Sequence, residues 1–131
     1  MSETIETSTA HISLLEGNIV KMKFKAEIEA SIENIKQNHE VAKKITNGKK
    51  HFVILDVRGF ATGSEKARSF CASKSPMQYR IAVAALVNSL AERLRCMAYI
   101  QHNKPIVPTC VFSTEQEAID WLKGFSKNEE N

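Results

Sequence analysis

Long apolar runs are missing from this sequence, and with them any stretch near the roughly 20 residues that a membrane-spanning helix needs. Cysteine is scarce. Cys71, Cys96 and Cys110 are odd in number, far apart and set within apolar periodic segments. They read as buried free thiols of a reducing compartment rather than as a bridge or a metal set. His11, His39, His51 and His102 show no i, i+4 pair and none lies beside a cysteine, which argues against metal ligation. Gly59 and Gly63 stand apart, without the lysine that completes a phosphate loop. One Trp, two Tyr and a net charge of +3, with no interleaving of basic and aromatic residues, do not describe a nucleic-acid binder. The segment Met1–Thr9 is polar and acidic and lacks the basic-then-apolar order of a secretory signal. The expectation is a cytoplasmic protein with no membrane span and no cofactor.

What is present suits one ordinary domain. A chain of 131 residues, 43% hydrophobic and 25% charged, is long enough to bury about 65 to 70% of the surface its unfolded form exposes. No disulfide or metal is needed to hold it. Residues 1–10 read as a disordered lead-in rich in Ser, Thr and Glu, residues 11–125 as a single domain, and residues 126–131 as a loose polar tail.

The stretch His51–Phe60 organises the rest. Phe52, Val53, Ile54 and Leu55 run into Asp56 and the turn glycine Gly59, the pattern of a central parallel strand covered on both faces as it reaches a ligand-facing edge. Ahead of it, Ile12–Leu15 and Ile19–Phe24 flank Gly17-Asn18 as a β-hairpin, with Lys21, Lys23 and Lys25 on a wet face. Between Glu27 and Thr46 the period changes to 3.6. Ile28, Ile32, Ile35, His39, Ala42 and Ile45 form one stripe, with His39 read as a boundary or satisfied core residue, and Asn47-Gly48 stops the helix. Burial of its four isoleucines is worth about 1.5 to 3 kcal/mol each, so the stripe rather than propensity is why this helix exists.

After the central strand, Thr62 with Glu65 and, one turn residue on, Ser64 compete to cap a short helix that ends at Ser75-Pro76. Tyr79–Val87 carries no charge after Arg80 and reads as a second buried strand, with helix as the competitor because of its alanines. Ser89 with Glu92 opens a third helix whose expected inward stripe is Leu90, Leu94, Met97 and Ala98, widened by Tyr99 and Ile100. A two-proline loop leads to the strand Thr109–Phe112, and Ser113 with Gln116 opens a last helix through Ala118, Trp121, Leu122 and Phe125. The order β-β-α-β-α-β-α-β-α implies an α/β fold with a mostly parallel five-stranded sheet, an N-terminal β-hairpin and about four helices.

The hairpin, the run Phe52–Gly59, the alanine-rich segment Ala82–Ser89, the Asn103-Lys104-Pro105 turn and the closing Trp121-Leu122 helix together resemble the STAS or SpoIIAA-like group, in particular a small uncharacterised bacterial subfamily of it. The resemblance spans about His11 to Phe125. It implies consecutive β/α units with helices largely on one side of the sheet. In the anti-sigma-factor antagonists of that group, a Ser or Thr at the start of the helix after the central strand is phosphorylated by a partner kinase, which switches partner binding. Other relatives of the fold bind small lipids or nucleotides. At the matching corner this chain reads Ala61-Thr62-Gly63-Ser64-Glu65, with hydroxyls in place but without the acidic residue of the antagonists' run.

Two functions of different class follow from this. One is a non-catalytic regulatory or interaction module for a protein partner or a second copy of itself. Its contacts or phospho-acceptors would lie among Asp56, Arg58, Gly59, Thr62 and Ser64. The other is a carrier of a small apolar ligand held under the third helix at Leu94, Met97, Tyr99 and Ile100. An enzyme is not expected, because Asp56 and Arg58 lie at a strand end where open α/β sheets bind ligands but have no companion nucleophile. They read instead as ordering their own turn. Lys43, Lys44, Lys49, Lys50 and His51 gather at the opposite end of the strand, as a solvated face or a surface for an acidic partner or an anionic membrane.

Overall fold

The computed structural model describes residues 3–130, with side chains as far as Phe125. Six strands form the main sheet: β1 (Thr4–Glu6), β2 (Ala10–Leu15), β3 (Ile19–Phe24), β5 (His51–Asp56), β7 (Arg80–Leu86) and β8 (Thr109–Phe112), in that spatial order. The pairs β1–β2 and β2–β3 are antiparallel, and every pair from β3 onward is parallel. Two short strands, β4 (Glu29–Ala30) and β6 (Thr62–Gly63), make a separate parallel pair. The helices are α1 (Ile32–Ile45), α2 (Glu65–Cys71), α3 (Lys74–Met77), α4 (Leu90–Asn103) and α5 (Glu115–Glu130). The result is a single α/β domain with a six-stranded mixed sheet and five helices, one strand and one helix more than the expected count.

The additional strand comes from the expected lead-in. Thr4–Glu6 pairs with His11–Ser13, and the next residues are tied down by buried polar contacts. Thr7 Oγ1 lies 2.6 Å from Asn38 Oδ1, and Asn38 Nδ2 donates to Thr9 Oγ1 at 3.0 Å. Asn38 is only 2% exposed, so these partners satisfy an amide that would otherwise be buried unpaired. The extra helix is α3, which accommodates Pro76 within its first turn, where a missing N–H is harmless. At the other end, the segment expected to be loose continues the backbone of α5 as far as Glu130. Met1, Ser2 and Asn131 lie outside the described residues.

The strand His51–Asp56 does run through the centre, with Val53 and Ile54 fully buried on opposite faces. Val53 packs with Ile12, Val20, Met22, Ala42, Met77 and Val83, under α1 and α3. Ile54 packs with Ile19, Ala84, Leu86, Ala118 and Leu122, under α5. Phe112, Trp121 and Phe125 extend the second cluster through tilted and edge-on ring contacts. Between His51 and Val53 the register with β7 shifts by one residue, so Ile81 and Ala82 both join the α5 side.

Element boundaries moved where local chemistry outbid periodicity. Helix α1 begins at Ile32 rather than Glu27. Ser31 and Asn34 form a reciprocal capping box, Glu27 sits in the left-handed region, and Glu29–Ala30 is already paired with Thr62–Gly63. Ser64, not Thr62, caps α2. The cap of α5 is Thr114, whose Oγ1 accepts from Glu117 N, while Ser113 accepts from Arg93.

Candidate functional site

The exit of β5 and the start of α4 form one corner. Asp56, 1% exposed, accepts two bonds from the guanidinium of its neighbour: Arg58 Nε at 2.9 Å and Nη2 at 2.7 Å. Its hydrogen bond and charge hold the Arg58 pKa above the ordinary arginine value. The pair thus orders its own turn, as the residue pattern suggested. Gly59 follows at φ +96°, and a Cβ there would meet the Ala26 Cβ at 3.4 Å. Glycine is favoured here by the conformation, while the added Cβ would come only into close contact with Ala26. Phe60 is also left-handed, at φ 64°, yet carries a large side chain that is 47% exposed.

What holds Phe60 in that conformation is Glu92 of α4. Its carboxylate accepts from Gly59 N and Phe60 N at 3.0 Å each and from Asn88 N at 2.8 Å, while Ser89 Oγ caps Glu92 N. Burial alone would raise the Glu92 pKa, but these backbone donors outweigh it and hold the carboxyl below its usual range. Ser89 and Glu92 were legible as a cap pair. That the carboxylate would instead bind a loop distant in sequence was not.

Anchoring Glu92 fixes the rotation of α4 and overturns the expected stripe. Glu92, Cys96, Tyr99 and Ile100 face inward, whereas Leu90, Leu94 and Met97 are 71%, 57% and 51% exposed, and Ala98 is exposed as well. The apolar-ligand candidates therefore divide. Tyr99 and Ile100 line a cavity of about 140 Å³, and Leu94 and Met97 stand on the opposite face of the helix.

That cavity lies between the sheet, the β4–β6 pair, α2 and α4. Its walls include Leu55, Ala85, Ala67, Cys71, Cys96 and Tyr99, and the exposed Arg68 and Arg95 reach its mouth. Thr62 and Gly63 line it too, whereas Ser64 Oγ is engaged in accepting from Ala67 N at 3.1 Å. Burial pushes the Cys96 thiol up to about 11 and raises Cys71 and Tyr99 as well. These groups stay protonated near neutral pH.

A second cluster lies at the amino end of the central strands. His51 is fully buried, not part of the surface lysine group, and its Nδ1 lies 2.9 Å from Lys49 O, which requires the proton on Nδ1. His51 pairs in register with Arg80. His39 stacks obliquely on Tyr79 at 5.8 Å. Its core position matches the residue pattern, but its Nδ1 has no hydrogen-bond partner among the described residues. Lys43 lies over the other aromatic surface there, 5.3 Å from the Tyr79 ring centre. Among the described residues no group of three or more His, Cys, Asp or Glu is placed to hold a metal, and no helix is long and apolar enough to cross a membrane.

No curated protein matches the sequence. Among solved structures, the chain is similar to an uncharacterised protein of the DUF3478 family with a SpoIIAA-like fold from Shewanella loihica PV-4. The TM-score is 0.56 at 11% identity, over 93% of this chain and 92% of that one. At that identity the likeness concerns the fold, and it agrees with the six-stranded arrangement and with the resemblance read from the hairpin and the Phe52–Gly59 run. Residues 13–126 match a family described as a domain of unknown function, DUF7793. With nearly the whole domain inside that match, the chain belongs to the DUF7793 family and carries it on a SpoIIAA-like fold.

Proposed function

We propose that this chain is a non-catalytic protein-interaction module. Its docking surface is the outer face of α4 together with the Gly59–Ser64 corner, and the partner is another protein or a second copy of itself. The observation that carries this reading is the exposure of Leu90, Leu94 and Met97 along one face of a single helix; at the Gly59–Ser64 corner Phe60 is exposed as well, held in the left-handed conformation. Single exposed leucines are ordinary on any surface, but three large apolar side chains along one helix face make a contact surface. Arg95 stacks over Phe60 at 6.0 Å and adds a cation to its rim. Phosphorylation of Ser64, at the edge of the same corner, is the switch this reading would use. The added charge would displace the Ser64 cap and alter the surface beside it.

The test is photo-crosslinking from position 94 in cells, with a second probe at the exposed Lys49, at the opposite end of the central strand, as a control away from the docking surface. A discrete adduct from position 94 that disappears in a Leu90→Glu, Met97→Glu background supports the module. Equal, diffuse adducts from both positions would remove the case for docking on α4.

The cavity supports a second reading, a carrier for a small apolar ligand under the inner face of α4. Its roughly 140 Å³ is the size class that accepts a benzene-sized molecule.

A further inference from the structure

The cavity under α4 has an apolar interior and a charged mouth. Its titratable inner groups, Cys71, Cys96 and Tyr99, are kept protonated and neutral by burial. Three lining residues carry charge: Glu92, Arg68 and Arg95. Glu92 is 2% exposed and its oxygens are already committed, Oε2 to the N–H groups of Gly59 and Phe60 and Oε1 to that of Asn88. The two arginines are exposed and, among the described residues, form no salt bridge. The mouth thus holds one engaged anion and two cations without a counter-charge.

One loop, the Gly59–Ser64 corner, gathers both cations from opposite helices. Arg68 of α2 donates Nη1 to Gly63 O at 2.6 Å, and Gly63 is itself fixed by pairing with Ala30. Arg95 of α4 lies over the Phe60 ring at 6.0 Å. Phe60 keeps its left-handed backbone, at φ 64°, through the bond of its N–H to Glu92. Strain of that kind costs about 1 to 3 kcal/mol and collects at ligand clamps. A guanidinium has five N–H donors in a planar fork, so each arginine keeps donors free for a carboxylate. A charge cannot enter the apolar interior unpaired, and a ligand that uses both parts of the cavity puts its hydrocarbon inside and its charge outside. We propose that the cavity takes a small carboxylic acid, its compact apolar body under α4 and its carboxylate on Arg68 and Arg95 at the mouth. This rests on the carrier reading, not on docking at the outer face of α4.

Phenylacetate and its neutral analogue 2-phenylethanol, titrated calorimetrically into the full chain at low salt, test the assignment. Phenylacetate should bind at least about fivefold tighter, the margin of a solvent-exposed ion pair. The double variant Arg68→Met, Arg95→Met should lose that margin while 2-phenylethanol continues to bind. Both side chains are exposed, so the fold should survive their replacement. Lys49→Met, Lys50→Met removes the same two charges from the far end of the central strand and should keep the margin. Equal binding of the two ligands to the wild type would overturn the place of the carboxylate and leave the carrier reading standing, whereas binding of neither would end both. A margin that survives in Arg68→Met, Arg95→Met, or that falls equally in the lysine variant, would also overturn the proposal.

Discussion

His39 shows how one residue on a correctly read stripe can carry more than its position. The α1 periodicity placed it in the core, and the core is where it lies, but burial and the Arg80 charge hold it near 4 instead of about 6.5. The unfolded chain therefore takes up the proton first. This contribution to stability is complete above about pH 6.5 and is lost as pH falls toward 4. Discounted for solvent screening, it should amount to about 1 kcal/mol between pH 7 and pH 5. Urea unfolding at the two pH values checks this: His39→Phe should shrink the difference by that amount, and an unchanged difference would assign the acid sensitivity elsewhere, His51 being lowered by burial too. The pKa itself was not legible in the sequence, because the burial of His39 and then its nearness to Arg80 both arise only through tertiary packing.

At the scale of elements, α4 separates what spacing predicts from what an anchor imposes. Its start was legible in Ser89 and Glu92, since that cap is local. Its rotation was not, because hydrophobicity alone favours burying Leu90, Leu94 and Met97, while Glu92 binds Gly59 N across 33 residues of sequence. Three backbone donors on one buried carboxylate outweigh the transfer energy of side chains that can stay half wet. Two substitutions test this balance by chemical denaturation. Glu92→Ala, which strands those donors, should cost about 3 kcal/mol or more. Leu94→Glu should change stability by no more than about 0.5 kcal/mol, as at an ordinary surface site. A large loss in Leu94→Glu would mean that the stripe is inward after all. Ser64 and Thr62 follow the same logic in miniature: both fit a cap, and the pairing of Thr62–Gly63 with Glu29–Ala30 decides for Ser64.

For the molecule as a whole, the first residues matter more than their composition suggests. Thr4–Glu6 covers the edge of β2, and Thr7 and Thr9 satisfy Asn38. Removing residues 1–9 should lower stability by about 2 kcal/mol and leave an open strand edge that promotes self-association. Denaturation midpoints and sedimentation of the shortened chain check both, and an equally stable monomer would show the segment to be dispensable. The central strand, the hairpin, the alanine-rich strand and four of the helices were determined by the sequence itself, because the periods of 2 and 3.6 and the cap residues act between neighbours along the chain. Tertiary structure alone decided that a polar lead-in becomes a sheet edge, that α4 turns its leucines outward, and that a cavity opens beneath its inner face. Each depends on a donor, acceptor or charge meeting a partner far away in sequence, and no local pattern encodes that distance.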